Sequence, residues 1–368
     1  MKVKRLSILV GTKGLILVFA SLFFLASSVN LSPLTPTLAQ AQPKPIKLKV
    51  CPLITLPPPA GGMTLAINES CKLIEKRTNG RVAFELYWAE SLAPGKELVT
   101  ALNKGITDVA VYSPAYEPGK VPLETIGNMP GISDDYWARA TAYWELISKH
   151  PALRAELAQW KIRPIGVFMI SKQGLITSKV PVRSLADLKG LKIAAAGPGA
   201  DAVKAYGGVP VAMTPSEQYE GLQRGTINAI TTPLITSIEF KFHEQSKYYT
   251  YFDFGSRLYP MGINQDVWDK IPAQDQKIIG DSLPDIIKLA YDAFFKIGDP
   301  EAVEIMKKRG IELIDPNAAD KAELLKLQDG LADKWAADME AKGLPGKAVL
   351  SEFRNLVLKY EKISPYKK

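Results

Sequence analysis

Apolar and polar residues alternate along the chain with two different periods, and their order predicts short strands separated by helices. Residues 46–53, 82–88 and 108–112 have the pattern of strands. Between them, residues 63–77 and 97–104 have apolar positions at helical spacing. This order predicts a doubly wound α/β lobe, in which the mostly apolar third strand is buried on both faces of a parallel sheet.

A second set of elements begins near residue 163. The predicted strands are residues 163–171, 174–177, 191–195 and 209–213, and the predicted helices are residues 201–206 and 216–224. A long helix is predicted at residues 238–247, followed by one strand at residues 248–263 that returns to the first lobe. The C-terminal third is predicted to be helical, at residues 273–295, 301–309 and 318–342.

These elements predict two α/β lobes that the chain crosses more than once. The expected divisions are residues 1–41 as a leader, residues 42–165 plus about 250–290 as the first lobe, residues 166–249 as the second lobe, and residues 291–368 as C-terminal helices that pack on the lobes. Ligands of open α/β sheets bind beyond the carboxyl ends of the strands. The cleft between the lobes is therefore the expected ligand site.

The N-terminus has the pattern of a secretory signal peptide. Three basic residues within the first five positions precede an apolar run at residues 15–29. Residues 39–41, Ala-Gln-Ala, form a small-residue cleavage site, so the mature chain is expected to start near Gln42 in the periplasm. A retained anchor helix is the alternative, although residues 11–14 interrupt the apolar tract.

Composition and charge are typical of a globular protein and argue against nucleic-acid binding. Hydrophobic residues make up 46% and charged residues 23% of the chain, as in ordinary soluble domains. The formal charge is +8, and removal of the four basic residues in the leader leaves about +4. The remaining basic residues are scattered without interleaved aromatic residues, which favours a solvated surface.

Residues that could support a metal site or catalysis form no recognised motif. Cys51 and Cys71 could pair in an oxidising compartment, and two buried free thiols are an equal alternative. The histidines of the sequence, His150 and His243, lie far from them, so no metal site is predicted. The chain has neither G-x-S-x-G nor a phosphate-binding glycine loop, so no cofactor and no enzymatic activity are predicted.

Three segments resemble a known family. They are SLADLKGLKIA at residues 184–194, PVAMTPSEQYEGLQRGTINAITTPL at residues 210–234 and KFHEQSKYYT at residues 241–250. Their order and spacing resemble the DctP-type solute-binding subunits of TRAP transporters, where SLxDLKGLKIR, PVPMxxxEVYTALQxGxVDGxENPL and KFYEVQKYLT recur. With residues 97–108 and NQDVWDKIP at residues 264–272, the resemblance covers most of the two lobes.

The resemblance implies a two-lobe periplasmic binding protein of α/β class, with a central ligand cleft and a helical C-terminal region. It also implies a receptor that captures a small organic solute by lobe closure and delivers it to ion-driven TRAP membrane subunits, without ATP hydrolysis. A sensor subunit that presents its ligand is an alternative that the sequence does not separate. A monomer is expected from the family, although the long C-terminal helices would permit a dimer.

The chain departs from the family at the positions that bind the ligand. The arginine of the KIR motif, which commonly clamps a substrate carboxylate, is replaced by Ala194. A second arginine is replaced by Gln173, the asparagine of E-N-P by Thr232, and an aromatic residue by Pro215. These replacements predict a neutral, weakly polar or aromatic solute rather than a simple dicarboxylate. The alternative is an organic acid held by a substitute cation, such as Arg257 or Lys172.

The candidate ligand contacts fall into two groups. Those at the ligand positions of the family are Gln173, Ala194, Gly197, Pro215 and Thr232. Those chosen from strand ends and loops that should face the cleft are Trp88, Tyr112, Ser113, Tyr116 and Tyr259. A tyrosine offers a large apolar face together with a hydroxyl group, which suits a weakly polar or aromatic solute.

Overall fold

The structure is a computed structural model that describes residues 44–53 and 62–366, without the side chain of Ser216. The expected signal peptide and its cleavage site lie outside the described residues. Among the residues that are described, no helix is both long enough and apolar enough to cross a membrane.

The strands of the described residues form two sheets. The strands are β1 (Ile46–Pro52), β2 (Val82–Leu86), β3 (Val109–Val111), β4 (Ile162–Met169), β5 (Gly174–Thr177), β6 (Lys192–Ala194), β7 (Val209–Val211), β8 (Ala229–Thr232), β9 (Tyr248–Thr250), β10 (Leu258–Asn264) and β11 (Glu312–Ile314). The first sheet has the order β2–β1–β3–β10–β4, and the second has the order β11–β9–β5–β8–β6–β7. Each sheet mixes parallel pairs, such as β1 with β2 and β6 with β7, with antiparallel pairs, such as β10 with β4.

Helices cover both sheets. They are α1 (Gly62–Arg77), α2 (Leu98–Asn103), α3 (Tyr136–Lys149), α4 (Pro151–Gln159), α5 (Pro198–Ala205), α6 (Pro215–Arg224), α7 (Leu234–Glu239), α8 (Gln265–Trp268), α9 (Ala273–Asp281), α10 (Leu283–Tyr291), α11 (Asp299–Lys308), α12 (Ala318–Glu340) and α13 (Gly346–Glu361). The predicted α/β class is confirmed, and β3 is completely buried, as its apolar sequence indicated. Near the C-terminus, α13 packs on α3 and α12 packs on α5, so these helices contact elements of both lobes.

The structure corrects two predicted elements. Residues 248–263 form two strands rather than one, because β9 pairs with β5 in the second sheet whereas β10 pairs with β3 and β4 in the first. The long helix predicted at residues 238–247 is interrupted at Lys241, whose φ of 59° lies in the left-handed region. Phe240 and Phe242 on either side of it stack on each other, and Phe242 is fully buried, so aromatic packing overrides the helical pattern.

Strand β11 was not predicted. Its residues add a parallel strand to β9 at the edge of the second sheet, although the surrounding sequence is helical. Only three residues pair, which is too short a segment for an alternating pattern to be recognised in the sequence.

The chain passes between the sheets three times. Residues 265–311 lead through helices from β10 to β11, and the other two connections are short and run side by side. Residues 170–173 connect β4 to β5, and residues 251–257 connect β9 to β10. The Ile170 N–H donates to the Arg257 carbonyl at 3.1 Å, and the Gln173 N–H donates to the Gly255 carbonyl at 2.9 Å. We refer to residues 170–173 and 251–257 as the crossing segments. Because they are hydrogen-bonded to each other, they form a paired connection about which the lobes can move.

A pair of glutamates is buried beside the first sheet. The Tyr112 hydroxyl donates to Glu124 Oε2 at 2.8 Å, and the backbone N–H groups of Leu123 and Glu124 donate to the Glu156 carboxylate at 2.8 and 3.0 Å. Burial raises the pKa of Glu124 well above its usual value and the pKa of Glu156 to about 7. The folded protein therefore binds protons at these sites more tightly than the unfolded chain does.

This difference predicts a loss of stability as the pH rises. The contribution of a carboxyl group with a raised pKa is complete below its unfolded pKa and disappears as the pH approaches the folded value. For Glu156 the loss between pH 4.5 and about 7 is on the order of 3 kcal/mol in the free energy of unfolding. Urea denaturation at pH 5 and pH 8 measures it, and Glu124→Gln should make the difference between the two pH values smaller. The exposed control Glu220→Gln should leave that difference unchanged, and an unaltered difference in Glu124→Gln would contradict the assignment.

Candidate functional site

A largely enclosed cavity lies between the two sheets, and we call it the inner cavity. Its lining combines residues of the crossing segments with residues from the end of β8 and from α7. The lining includes Tyr116, Gln173, Thr232, Glu239, Arg257 and Tyr259. Its volume is about 50 Å³, whereas a cavity that admits benzene has a volume of about 150 Å³. An organic ligand therefore enters only after the lobes or the lining side chains move apart.

Arg257 places a positive charge in the inner cavity. The side chain is partly buried on the second crossing segment, and the Tyr116 and Tyr259 side chains lie close enough to the guanidinium to raise its pKa. Burial lowers the pKa of Arg257, but the two tyrosines raise it by more, so the group stays charged. In the described part of the chain, Arg257 forms no ion pair, and the groups that raise its pKa are two phenols rather than a carboxylate.

The two tyrosines lie in or after neighbouring strands of the first sheet, β3 and β10. Tyr116 follows β3 in a short 3₁₀ turn at Pro114–Tyr116, and Tyr259 lies within β10. Burial raises the pKa of Tyr259 more than the charge of Arg257 lowers it, so the Tyr259 phenol is neutral. Neither tyrosine is a carboxylate, so the positive charge of Arg257 is available to an anionic group of a ligand.

Lys172, the other candidate for a substitute cation, is engaged elsewhere. Its Nζ lies 2.6 Å from Asp134 Oδ1 and 3.3 Å from Asp253 Oδ2. It is not part of the cavity lining, which includes its neighbour Gln173 instead. Lys172 therefore ties the first crossing segment to the second and to the start of α3, while Arg257 faces the cavity.

Two buried acceptor groups also border the inner cavity. Glu239 at the C-terminal end of α7 is 7% exposed, and Gln173 is 2% exposed. Among the described residues, neither Glu239 Oε1 nor Gln173 Oε1 has a hydrogen-bond partner. Burial raises the pKa of Glu239 to about 7, against the Met63 backbone N–H and the Thr236 hydroxyl, which lower it.

A larger opening lies on the other side of Tyr116, and we call it the outer cleft. Its volume is about 580 Å³, and its lining includes Lys96 and Ala115 from the first lobe and Gly197 and Glu217 from the second. The pKa of Glu217 is lowered, mainly by hydrogen bonds from the Thr214 N–H and hydroxyl and additionally by the charge of Lys96. The two lobes thus approach each other closely across the outer cleft.

Gly197 marks the point where the lobes touch. Its backbone angles, φ 54° and ψ −140°, are a combination that residues with a side chain rarely adopt. A Cβ atom at this position would lie 2.7 Å from the Cβ of Ala115. The absence of a side chain therefore permits the two lobes to close at this point.

The structure brings together part of the predicted site. Tyr116, Gln173, Pro215, Thr232 and Tyr259 line the inner cavity. Gly197 lines the outer cleft, and Tyr116 separates the two openings.

The other predicted residues lie outside both openings. Tyr112 is in the core of the first lobe, where its hydroxyl is bonded to Glu124. Ala194 is buried in β6, with its carbonyl accepting a hydrogen bond from the Thr231 hydroxyl at 3.1 Å. Ser113 is buried, and Trp88 packs against the core. These residues can shape the cleft only through the elements that carry them.

Sequence reasoning did not select Glu239 as a cavity residue. It lies in a segment that was predicted to be part of a long amphipathic helix, where an acidic side chain is expected to face solvent. Arg257 was considered only as a substitute cation, because it lies within the predicted strand at residues 248–263 and outside the recognised motifs. Only the packing of the two lobes brings both residues to one cavity.

The cysteines and His150, which were considered for metal binding, are buried or hydrogen-bonded within the fold. Cys51 and Cys71 are buried free thiols, and burial raises the pKa of both. The His150 Nδ1 accepts a hydrogen bond from the Ala152 N–H at the start of α4. Within residues 44–53 and 62–366, no group of three or more histidine, cysteine, aspartate or glutamate side chains could hold a metal ion.

The arrangement of two lobes around a cleft agrees with comparisons to known proteins. The family model DctP, described as bacterial extracellular solute-binding protein family 7, matches residues 58–338. This chain belongs to that family. The family resemblance expected from the sequence is thereby confirmed, together with the two-lobe fold.

Solved and curated relatives of this family member include receptors for different acids. A TRAP solute-binding protein of Rhodoferax ferrireducens in complex with copurified benzoate superposes with a TM-score of 0.79 at 20% identity, covering 86% of this chain and 99% of that one. A TRAP periplasmic solute-binding protein of Bordetella bronchiseptica with bound (R)- and (S)-mandelate gives a TM-score of 0.75 at 26% identity, covering 87% and 100%. The C4-dicarboxylate-binding periplasmic protein DctP of Rhodobacter capsulatus is 25% identical over 323 residues, covering 85% of this chain and 93% of that protein.

Membership in the DctP family establishes the general activity. The chain is a solute-binding protein, and its family and structural neighbours are substrate-binding proteins rather than enzymes. TRAP solute-binding proteins bind small solutes and work with membrane subunits. The identity of the solute is a separate question, since the relatives differ in their ligands.

Proposed function

We propose that this DctP-family protein is an extracytoplasmic receptor for an organic acid with one carboxylate and an apolar, preferably aromatic, body. The observation that carries the proposal is Arg257 in the inner cavity, positively charged and next to phenols instead of an acid. A guanidinium binds a carboxylate through two parallel hydrogen bonds, which gives both affinity and orientation. Arg257 would then replace the arginine that the family commonly has at the position of Ala194.

The charges of the cavity favour one carboxylate over two. Arg257 is the cation of the described cavity lining, and Glu239 contributes a carboxyl group on the opposite lobe. A second ligand carboxylate would need its own cation and would be repelled by ionised Glu239. The proposal therefore retains the expectation from the sequence that a simple dicarboxylate is not the ligand.

The lining of the cavity favours an apolar body. Leu53, Ile170, Phe240 and Phe242 contribute apolar surface, together with two prolines. The mandelate-binding relative, at 26% identity, supports an aromatic monocarboxylate as the ligand class. A neutral aromatic solute, which the loss of the family arginines suggested, would leave the charge of Arg257 without a partner.

A thermal-shift screen tests the proposal. The purified protein, refolded to remove any carried ligand, is heated with benzoate, mandelate, succinate, benzyl alcohol or glycerol. A ligand at about one hundred times its dissociation constant adds roughly 2.7 kcal/mol, a shift of several degrees in the midpoint of unfolding. Aromatic monocarboxylates should give the shift. Stabilisation by succinate alone, or by benzyl alcohol as strongly as by benzoate, would refute the proposed ligand class.

The proposal extends to the place and partners of the receptor. The chain would be exported by cleavage near Gln42 and would act as a monomer that hands its acid to TRAP membrane subunits. Mass spectrometry of the protein secreted to the periplasm would identify the mature N-terminus. Sedimentation with and without the acid would distinguish a monomer from a dimer.

A further inference from the structure

Glu239 and Gln173 give the inner cavity a second polar side. Both are more than nine-tenths buried, and both have an oxygen without a partner among the described residues. Glu239 projects from α7 of the second lobe, and Gln173 lies on the first crossing segment. A buried acceptor without a partner costs free energy, so each such group needs an explanation, and at the wall of a cavity a bound molecule can supply the missing donor.

The two free oxygens require the same chemistry from a ligand. A carboxylate oxygen and an amide oxygen both accept hydrogen bonds, so a ligand satisfies them with O–H or N–H groups. The Met63 N–H and the Thr236 hydroxyl lie near the Glu239 carboxyl group and lower its pKa, while Glu239 Oε1 has no hydrogen-bond partner among the described residues. Arg257 in the same cavity is a donor and selects the opposite chemistry, an acceptor.

We infer that the acid bound by this protein also carries a hydrogen-bond donor, a hydroxyl or a protonated amine, which Glu239 and Gln173 receive. The inference rests on the proposed function, since Arg257 takes the carboxylate of the same ligand. Arg257 then sets the orientation of the ligand, and Glu239 discriminates between acids that have a donor and acids that lack one. A site that is built to hydrogen-bond a polar group rejects analogues that lack it, because its buried groups stay unpaired.

Calorimetric titration with a matched set of benzoates tests this role. The set contains benzoate, its hydroxy derivatives at ring positions 2, 3 and 4, the corresponding methoxy derivatives, and 3- and 4-(aminomethyl)benzoate. At least one hydroxy or aminomethyl compound should bind about 2-fold to 12-fold more tightly than benzoate, as one net hydrogen bond provides. Its methoxy counterpart, which only accepts, should bind more weakly than benzoate. Comparison of the hydroxybenzoates with the aminomethylbenzoates distinguishes a hydroxyl donor from an ammonium donor.

Glu239→Gln then identifies the receiving group. The variant keeps the shape of the side chain and an oxygen for the Met63 N–H, but it turns an NH₂ group toward the cavity. The preference for the donor compound should disappear, and the methoxy compound should gain affinity. Glu220→Gln, the same change at an exposed residue of α6 that pairs with Arg224, should bind every compound like the wild type.

The possible results separate the inference from the function on which it rests. If the benzoates bind equally whatever their substituent, or if the methoxy compounds bind most tightly, the role of Glu239 is refuted while the carboxylate receptor stands. If no benzoate binds and neutral compounds do, the proposed function itself fails. If Glu239→Gln does not fold, the affinities of the wild-type protein for the hydroxy, aminomethyl, methoxy and unsubstituted benzoates still test whether the cavity prefers a donor.

Discussion

Replacing Arg257 by methionine should lower the affinity for an aromatic monocarboxylate by roughly 30-fold to 5,000-fold. Truncating one partner of a buried charge pair costs about 2–5 kcal/mol, because the remaining charge stays buried without its partner. Methionine preserves much of the side-chain volume, and the groups beside Arg257 are two tyrosines rather than a carboxylate, so the fold should persist. Calorimetric titration with the acid that gives the largest thermal shift measures the loss.

Two further variants make the Arg257 result specific. Arg257→Lys keeps the charge but loses the planar fork, so it should retain part of the affinity. Arg224→Met removes an exposed arginine that pairs with Glu220 on α6, and it should have no effect. Binding within about threefold of the wild type in Arg257→Met would show that the carboxylate is held by other groups.

Replacing Gly197 by alanine should weaken ligand binding about tenfold or more without unfolding the protein. The new Cβ would lie 2.7 Å from the Cβ of Ala115 on the opposite lobe, and the φ of 54° is unfavourable for alanine. The contact with Ala115 raises the free energy of the closed state relative to an open one, whereas the backbone strain lowers the stability of both states. Ligand affinity depends on closure, because only the closed state lets a ligand contact both lobes. Calorimetry reports the affinity, and small-angle scattering reports whether the bound protein becomes more compact.

Gly190→Ala is the matched control for backbone strain. Gly190 also has a positive φ, of 75°, but no described atom lies within 4 Å of the position that its Cβ would take. It should lower the midpoint of thermal unfolding without a comparable loss of affinity. In the double variant, Ala115→Gly should restore part of the affinity that Gly197→Ala removes, since the closer of the clashing atoms is gone. Equal losses of affinity in Gly190→Ala and Gly197→Ala would exclude a specific role in closure.

Much of the fold could be predicted because local patterns agree with it. The strand–helix alternation predicted the α/β class, and the ordered motifs at residues 184–250 predicted the family. The same reasoning failed at Lys241, where packing of Phe240 and Phe242 interrupts a helical pattern, and at residues 248–263, where one apparent strand is divided between two sheets. At Lys241 the burial and stacking of neighbouring aromatic side chains override the local preference, and at residues 248–263 strand pairings between residues distant in sequence do so.

The candidate site was predictable only in part, for a related reason. Motif positions led to Gln173, Pro215 and Thr232, which line the inner cavity, and also to Ala194, which is buried in a strand. A motif identifies the element that borders a cleft, but the direction of each side chain depends on how the lobes pack. Charged residues outside the motifs carried no signal of their own.

The sequence by itself determined the class of fold, the family and the loss of the family's arginine at Ala194. These follow from periodicity and from motifs, which are local properties of the chain. Only the tertiary structure decided that Lys172 is neutralised by Asp134 and Asp253 while Arg257 faces the cavity with two phenols. The physical reason is that the environment of a charge depends on groups far away in sequence, which meet only when the crossing segments pair and the two lobes close around them.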